Sequence, residues 1–112
     1  DASFQSYARQ IIKNAQTLVT ALEEKGWRVI SGGTDSHLFL VDTMSRGIPG
    51  KEAEKRLEAG GIIVNKNTIP FDERSPVDPS GIRIGTPAVT TRGMKEKDME
   101  KIAEDIDKIL SS

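Results

Sequence analysis

Cysteine is absent from the chain, and histidine occurs once, as His37. Without cysteine there is neither a disulfide framework nor a thiolate metal site, which fits a reducing compartment. A lone histidine, with no second histidine and no spaced pair of carboxylates, gives no basis for a metal site. No serine stands in the glycine-flanked setting of a nucleophile elbow. We therefore expect neither a bound metal nor a hydrolytic triad, and His37 is more simply a structural residue than a general base.

An excess of one charge is also missing, as is any long apolar run. Sixteen basic residues face seventeen acidic ones, for a formal net charge of −1. This balance does not provide the broad positive surface that nucleic-acid binding needs. No window approaches the roughly 20 apolar residues of a membrane span, and no segment resembles a signal peptide. These absences predict a cytoplasmic protein that binds neither nucleic acid nor a membrane.

The start of the chain carries a further expectation. Its first residue is Asp1 and its first methionine is Met44, among 112 residues. This length suits one domain with a modest core. We therefore expect a processed product or one domain of a longer protein.

Hydrophobic periodicity predicts the order helix, two strands, helix, two strands, helix. The predicted helices cover residues 3–25, 51–59 and 94–110. The predicted strands cover residues 27–31, 37–42, 62–64 and the short run around Arg83. Gly26 suits a left-handed helix cap, and the glycine-bearing turn at residues 32–36 suits a hairpin. The expected fold is α+β, a small mixed or antiparallel sheet with helices packed mainly on one face.

Arg83 is the leading candidate for a binding residue. It stands between two isoleucines, so a strand would turn both isoleucines into the core and the guanidinium to the other face. A guanidinium can bind a carboxylate or a phosphate through two parallel hydrogen bonds. The alternatives are a solvated strand residue or an ion-pair partner for Asp72, Glu73 or Asp78.

Other polar candidates flank the same region. Asn65, Lys66 and Asn67 follow an apolar run, where an asparagine suits a heterocycle edge as well as it suits a turn. Arg92 precedes the last helix and is more simply a structural arginine bonded to loop carbonyls. The irregular stretch at residues 69–79 has a length more often associated with function.

Five segments carry a resemblance to a known family. They read Ser-Gly-Gly-Thr-Asp at 31–35 with His37-Leu38 after it, Gly-Lys-Glu-Ala-Glu at 50–54, Val-Asn-Lys-Asn-Thr-Ile-Pro at 64–70, Ser-Gly-Ile-Arg-Ile-Gly-Thr-Pro-Ala at 80–88 and Thr-Arg-Gly at 91–93. In this order they resemble the C-terminal small domain of serine hydroxymethyltransferase of the bacterial type. The resemblance runs over nearly the whole chain, and the Asn-Lys-Asn and Gly-Ile-Arg-Ile-Gly-Thr segments are specific to that family.

The resemblance implies a pyridoxal-phosphate enzyme of the aspartate-aminotransferase-like fold (fold type I). Such an enzyme interconverts serine plus tetrahydrofolate with glycine plus 5,10-methylenetetrahydrofolate, as a cytoplasmic homodimer or higher oligomer. It also implies that Arg83 binds the substrate carboxylate and that Asn67 contacts the folate. Lys66 and Arg92 are supporting candidates.

The chain departs from the family in what it omits. The family's cofactor lysine follows a threonine-rich motif that ends in His-Lys, and this sequence contains no such motif. We therefore expect residues 1–112 to be the small domain, with no catalytic residue of its own and inactive alone. Ser36 and Pro49 replace the asparagine and the capping hydroxyl residue usual in the family, and Asp78 with Pro79 changes the approach to Ser80.

Two other function classes remain open. The chain could be a stand-alone regulatory domain that binds an amino acid through Arg83. It could also be a structural domain for assembly, with a large exposed apolar patch.

Overall fold

The computed structural model describes residues 2–31, 38–86, 90 and 92–112. Within these residues the elements are α1 (Ala2–Glu24), β1 (Arg28–Ser31), β2 (Leu38–Asp42), a 3-10 turn (Met44–Arg46), α2 (Gly50–Ala59), β3 (Asn65–Asn67), β4 (Gly81–Gly85) and α3 (Glu96–Ser111). This order confirms the prediction of helix, two strands, helix, two strands and helix.

The strands form one sheet with the spatial order β1-β2-β4-β3, and each of its three pairings is antiparallel. The pairing of β1 with β2 confirms the predicted hairpin. Its connecting turn, which includes Ser36 and His37, lies outside the described residues. β4 lies between β2 and β3, so β3 forms one edge of the sheet and pairs with β4.

The helices cover one face of the sheet, as predicted. Phe39 and Val41 of β2, and Ile82 and Ile84 of β4, are buried on this face. They join one core with residues from all the helices, namely Leu18, Leu22, Ala53, Leu57, Met99, Ala103, Ile106 and Leu110. The alternation of apolar and polar residues along β4 therefore has the orientation that the sequence indicated.

The end of α1 agrees with the cap predicted from Gly26. Gly26 adopts a left-handed φ of +91°. The amide of Trp27 donates to the Leu22 carbonyl at 3.1 Å, and the amide of Gly26 donates to the Glu23 carbonyl at 3.0 Å. These two bonds form a Schellman motif, which satisfies the last helical carbonyls and directs the chain into β1.

The predicted strand at residues 62–64 is wrong, since β3 begins at Asn65, directly after that run ends. The amide of Ile62 is still bonded to the Leu57 carbonyl at 2.8 Å, because Gly61 closes α2 with a left-handed φ of +87°. Ile63 is 76% exposed, and Val64 packs into the core from outside the strand. The helix cap and the pairing of residues 65–67 with β4 therefore override the local strand propensity of the β-branched residues.

The unequal burial of Ile82 and Ile63 can be tested by substitution. Ile82 is fully buried on β4, so Ile82→Ala should reduce the free energy of unfolding of the 112-residue chain by about 2–5 kcal/mol. Ile63→Ala removes the same atoms from an exposed side chain and should change it by less than about 0.5 kcal/mol. Urea unfolding measures both free energies, and equal losses would contradict the burial described for these two side chains.

Candidate functional site

The face of the sheet opposite the helices collects the predicted polar residues. Directly opposed residues of neighbouring strands share a face. One row across the sheet consists of Ile30, Leu40, Arg83 and Asn65. The next row consists of Arg28, Asp42, Gly81 and Asn67. We call this surface the open face; it brings Arg83 together with both asparagines of the Asn-Lys-Asn segment.

Arg83 is exposed, and its guanidinium makes no hydrogen bond or ion pair with any residue that the structure describes. None of the carboxylates considered as its partners, Asp72, Glu73 and Asp78, forms an ion pair with it. Asp78 pairs with Arg74 at 2.9 Å, and Asp72 is bonded within its own loop. The ion-pair alternative for Arg83 is therefore not supported in the described part of the chain.

The second arginine of the open face is already neutralised. Arg28 donates to Asp42 at 2.7 Å, and the Asp42 side chain is only 10% exposed. Asp42 also accepts a hydrogen bond from the amide of Ser45 at 3.0 Å. The open face thus carries one paired arginine and one, Arg83, that is available to an external anion.

Asn67 and Lys66 point to opposite faces because side chains alternate along a strand. Asn67 lies on the open face, and its side-chain nitrogen Nδ2 donates to the Thr68 carbonyl at 2.7 Å. Lys66 is opposed to Ile82 and so faces the helix side. Its backbone amide donates to Glu54 of α2 at 2.8 Å. The structure therefore groups Asn67, but not Lys66, with Arg83.

Arg92 lies apart from the open face. It lines a cavity of about 260 Å³ on the helix side of the sheet, together with Leu18, Ile84 and Met94. No hydrogen bond joins Arg92 to a residue within 2–31, 38–86, 90 or 92–112, so the predicted bonds to loop carbonyls are not seen there. The structure does not bring Arg92 to Arg83.

The irregular loop before β4 is organised by Asp72, which the sequence suggested only as a partner for Arg83. One oxygen of Asp72 accepts from the Ser80 hydroxyl at 2.7 Å and from the Arg74 amide at 2.9 Å. The other accepts from the Ser80 amide at 2.9 Å and from the Ile69 amide at 3.2 Å. We call this arrangement the Asp72 cage.

The cage lowers the pKa of Asp72 well below its usual range. The main cause is the hydrogen bond from the Ser80 hydroxyl, followed by the bond from the Ser80 amide, and partial burial opposes both. Hydrogen bonds that favour the charged form of a carboxyl group depress its pKa in this way. Asp72 is therefore an ionised acceptor at neutral pH.

Close backbone contact fixes this loop against the sheet. A Cβ on Gly81 would lie 2.7 Å from Ile69 Cγ2 and 2.7 Å from the Val41 carbonyl oxygen. Ile69 therefore covers Gly81 on the open face, the side of the sheet on which Arg83 lies. The amide of Gly50, at the start of α2, donates to the Pro79 carbonyl at 2.7 Å. This start has Pro49 as its N-cap and no side-chain cap, and the backbone contact with Pro79 holds it instead.

A buried polar network anchors the chain after β4, and periodicity gave no sign of it. Asn14 of α1 is fully buried and donates to the Thr90 hydroxyl at 2.8 Å and to the Met94 carbonyl at 2.9 Å. The Thr86 hydroxyl donates to the Ile11 carbonyl at 2.7 Å. The helix therefore holds both ends of the segment from Thr86 to Met94.

A covalently held aldehyde cofactor would need a lysine in an enclosed site. Each lysine of the chain is exposed except Lys66, which is half-buried. The residues of this chain thus do not fit the attachment of pyridoxal phosphate. Within the described ranges there is also no group of three or more metal-ligating side chains, and no helix long and apolar enough to cross a membrane.

Comparison with known proteins identifies the family. The family model of serine hydroxymethyltransferase matches residues 1–106. The chain belongs to the serine hydroxymethyltransferase family. It is 58% identical over 101 residues to serine hydroxymethyltransferase of Acidobacterium capsulatum, and 55% identical over 102 residues to that of Koribacter versatilis.

These matches confirm the resemblance seen in the sequence motifs. They cover 90% and 91% of this chain but 24% of each relative. The chain thus spans about a quarter of the length of the serine hydroxymethyltransferases that it matches.

The low pKa of Asp72 gives a test in acid. Because the folded-state pKa lies below the unfolded value of about 3.9, the carboxylate stabilises the fold fully above that pH and this stabilisation is lost as the pH falls through the folded pKa. We expect Asp72→Asn to lower the unfolding temperature of the 112-residue chain at neutral pH. The difference in unfolding temperature between the variant and the parent should become smaller below about pH 4.

Circular dichroism during heating measures this gap at each pH. Glu73→Gln, a change of the exposed neighbouring carboxylate, is the control and should give a small gap at neutral pH. A gap for Asp72→Asn that stays constant from neutral pH to about pH 2.5 would show that the cage does not depend on the charge of Asp72.

Proposed function

We propose that this chain is the small C-terminal domain of a serine hydroxymethyltransferase. The complete enzyme interconverts serine plus tetrahydrofolate with glycine plus 5,10-methylenetetrahydrofolate. The family match over residues 1–106 supports the parent enzyme. One structural observation supports the role of the domain: the Arg83 guanidinium lies on the open face, in the same cross-strand row as Asn65, and pairs with none of the residues that the structure describes.

Arg83 is the proposed clamp for the carboxylate of the amino-acid substrate. An amino acid bound through its amino group keeps a free carboxylate, and two parallel hydrogen bonds from one guanidinium fix its orientation as well as its charge. Arg83 lies between two buried isoleucines of the same short strand, and their packing holds its backbone in place. Because Arg28 is paired with Asp42, Arg83 is the open-face arginine that can serve this purpose.

Asn67 is the proposed contact for the folate. It lies on the open face, one row from Arg83, and a side-chain amide can both donate to and accept from the edge of a heterocycle. Lys66 and Arg92 stay supporting candidates at a distance from this pair. Lys66 has a long side chain on the adjacent edge-strand position, and Arg92 is exposed beside Gly85 at the end of β4.

The cofactor belongs to another part of the enzyme in this proposal. When bound, pyridoxal phosphate supplies the electron sink for breaking bonds at the substrate α-carbon. This chain binds and orients the carboxylate and contributes to the folate site. Its partners are the large domain of the same polypeptide and, in a homodimer in the cytoplasm, a second subunit.

The clamp is testable in the full-length enzyme. Arg83→Lys keeps the charge but not the planar fork, so the KM for serine should rise about tenfold or more. Arg28→Lys is a matched control, because it changes an arginine on the same face that is already paired with Asp42. Steady-state kinetics with saturating tetrahydrofolate measures both variants. A serine KM unchanged by Arg83→Lys would remove Arg83 from the clamp role.

The proposal that this domain does not attach the cofactor is testable with the 112-residue chain alone. Mixed with pyridoxal phosphate and then reduced with borohydride, it should carry no stoichiometric adduct, because no lysine lies in an enclosed site. It should also release no glycine from serine. Mass spectrometry reads out the adduct, with the full-length enzyme as the positive control. A single modified lysine at full occupancy would contradict this proposal.

A further inference from the structure

The structure assigns a positioning role to Asp72: its carboxylate holds the loop between β3 and β4 closed, and thereby sets where Asn67 and Arg83 stand on the open face. This inference rests on the proposed function, because it concerns the geometry of the same site. The sequence suggested Asp72 only as an ion-pair partner for Arg83, not as a positioning residue.

The Asp72 cage joins both ends of the loop to one side chain. Ile69, at the loop's beginning, follows Asn67 by two residues, and Ser80, at its end, precedes Arg83 by three. Both backbone amides donate to the same oxygen of Asp72, at 3.2 and 2.9 Å. One carboxylate therefore fixes the spacing of the two chain segments that lead to the proposed ligand-binding residues.

Ser80 transmits this restraint to the rest of the sheet. Its carbonyl accepts from the amide of Met44 at 3.0 Å and from the Thr43 hydroxyl at 3.3 Å, at the exit of β2. Its amide and hydroxyl both donate to Asp72. Ser80 is buried, so bonds lost there are not replaced freely by water.

The strand β3 needs such support because it is short and lies at the edge of the sheet. It shares three residue pairs with β4 and presents no apolar side chain, since its sequence is Asn-Lys-Asn. A strand of this kind has little stability of its own. Glu54 holds its middle from the helix side at 2.8 Å, and Asp72 holds the chain just after it.

The backbone beside Asp72 is itself held in an unusual conformation. Phe71 has a left-handed φ of 60° and a fully exposed side chain. The amide of Asp72 donates to the Ile69 carbonyl at 3.0 Å, which closes a turn with Phe71 at the position that usually takes glycine. A bulky residue persists in this region where surrounding contacts determine the backbone, and the Asp72 cage supplies them.

Asparagine at position 72 cannot reproduce the cage. Each carboxylate oxygen accepts from at least one backbone amide, namely Arg74 for one and Ile69 and Ser80 for the other. Whichever way an asparagine side chain is turned, its NH₂ group therefore faces a backbone N–H that loses its acceptor. Asp72→Asn changes the loop with a nearly isosteric side chain.

The test uses the full-length enzyme with Asp72→Asn, Ser80→Ala, the double variant and Glu73→Gln. We expect Asp72→Asn to raise the KM for serine and the KM for tetrahydrofolate by roughly tenfold each, because small displacements of positioning groups are costly. Ser80→Ala removes one bond of the cage and should give a smaller rise, about threefold. The double variant should raise KM by less than the product of the two single effects, since both changes act on the same set of hydrogen bonds.

Hydrogen exchange provides a readout that does not depend on activity. The amides of β3 should exchange about tenfold faster in Asp72→Asn than in the parent. Glu73→Gln removes a neighbouring charge outside the cage and should change neither KM nor exchange.

Three results would overturn the positioning role. One is a lower unfolding temperature for Asp72→Asn with both KM values unchanged, which is the behaviour of a purely structural residue. The second is an equal rise of both KM values in Glu73→Gln, which would show that the net charge of the loop, and not the Asp72 cage, determines the KM values. The third is unchanged exchange of β3. A parent enzyme without hydroxymethyl transfer would instead refute the proposed function, so the two failures are distinguishable.

Discussion

The burial of the two isoleucines of β4 is the constraint on which the rest of the structure depends. Ile82 and Ile84 pack under the helices, and side chains alternate along a strand, so Arg83 must face the other way. A slip of one residue would bury the guanidinium and expose both isoleucines, which the cost of burying an unpaired charge forbids. The position of the proposed clamp is thus a consequence of hydrophobic packing on the opposite side of the sheet.

The neighbouring strand, β3, is not held in place by hydrophobic packing. β3 contributes Asn65 and Asn67 to the open face and has no apolar residue to secure its register. Its place is fixed by side chains from elsewhere, Glu54 of α2 and Asp72 of the loop. The polar half of the proposed site therefore depends on hydrogen bonds, whereas the arginine half depends on packing.

The open face carries only part of the proposed site. Among the described residues it offers one arginine without an ion-pair partner and two asparagines, and no lysine of the chain lies in an enclosed site. A chain that spans about a quarter of the matched serine hydroxymethyltransferases fits such an arrangement, since substrate clamps work only against a reacting group held opposite them. The helices, by contrast, pack against the other face around one core.

The sequence by itself determined the order of the elements, the Gly26 cap and the outward direction of Arg83, because periodicity and glycine caps are local signals. Its family motifs also named the family correctly. Only the tertiary structure decided where β3 begins, since Asn65–Asn67 pair with β4 against their own propensity. It also decided the Asp72 cage and the burial of Asn14, because hydrogen bonds between residues distant in the chain leave no period in the sequence.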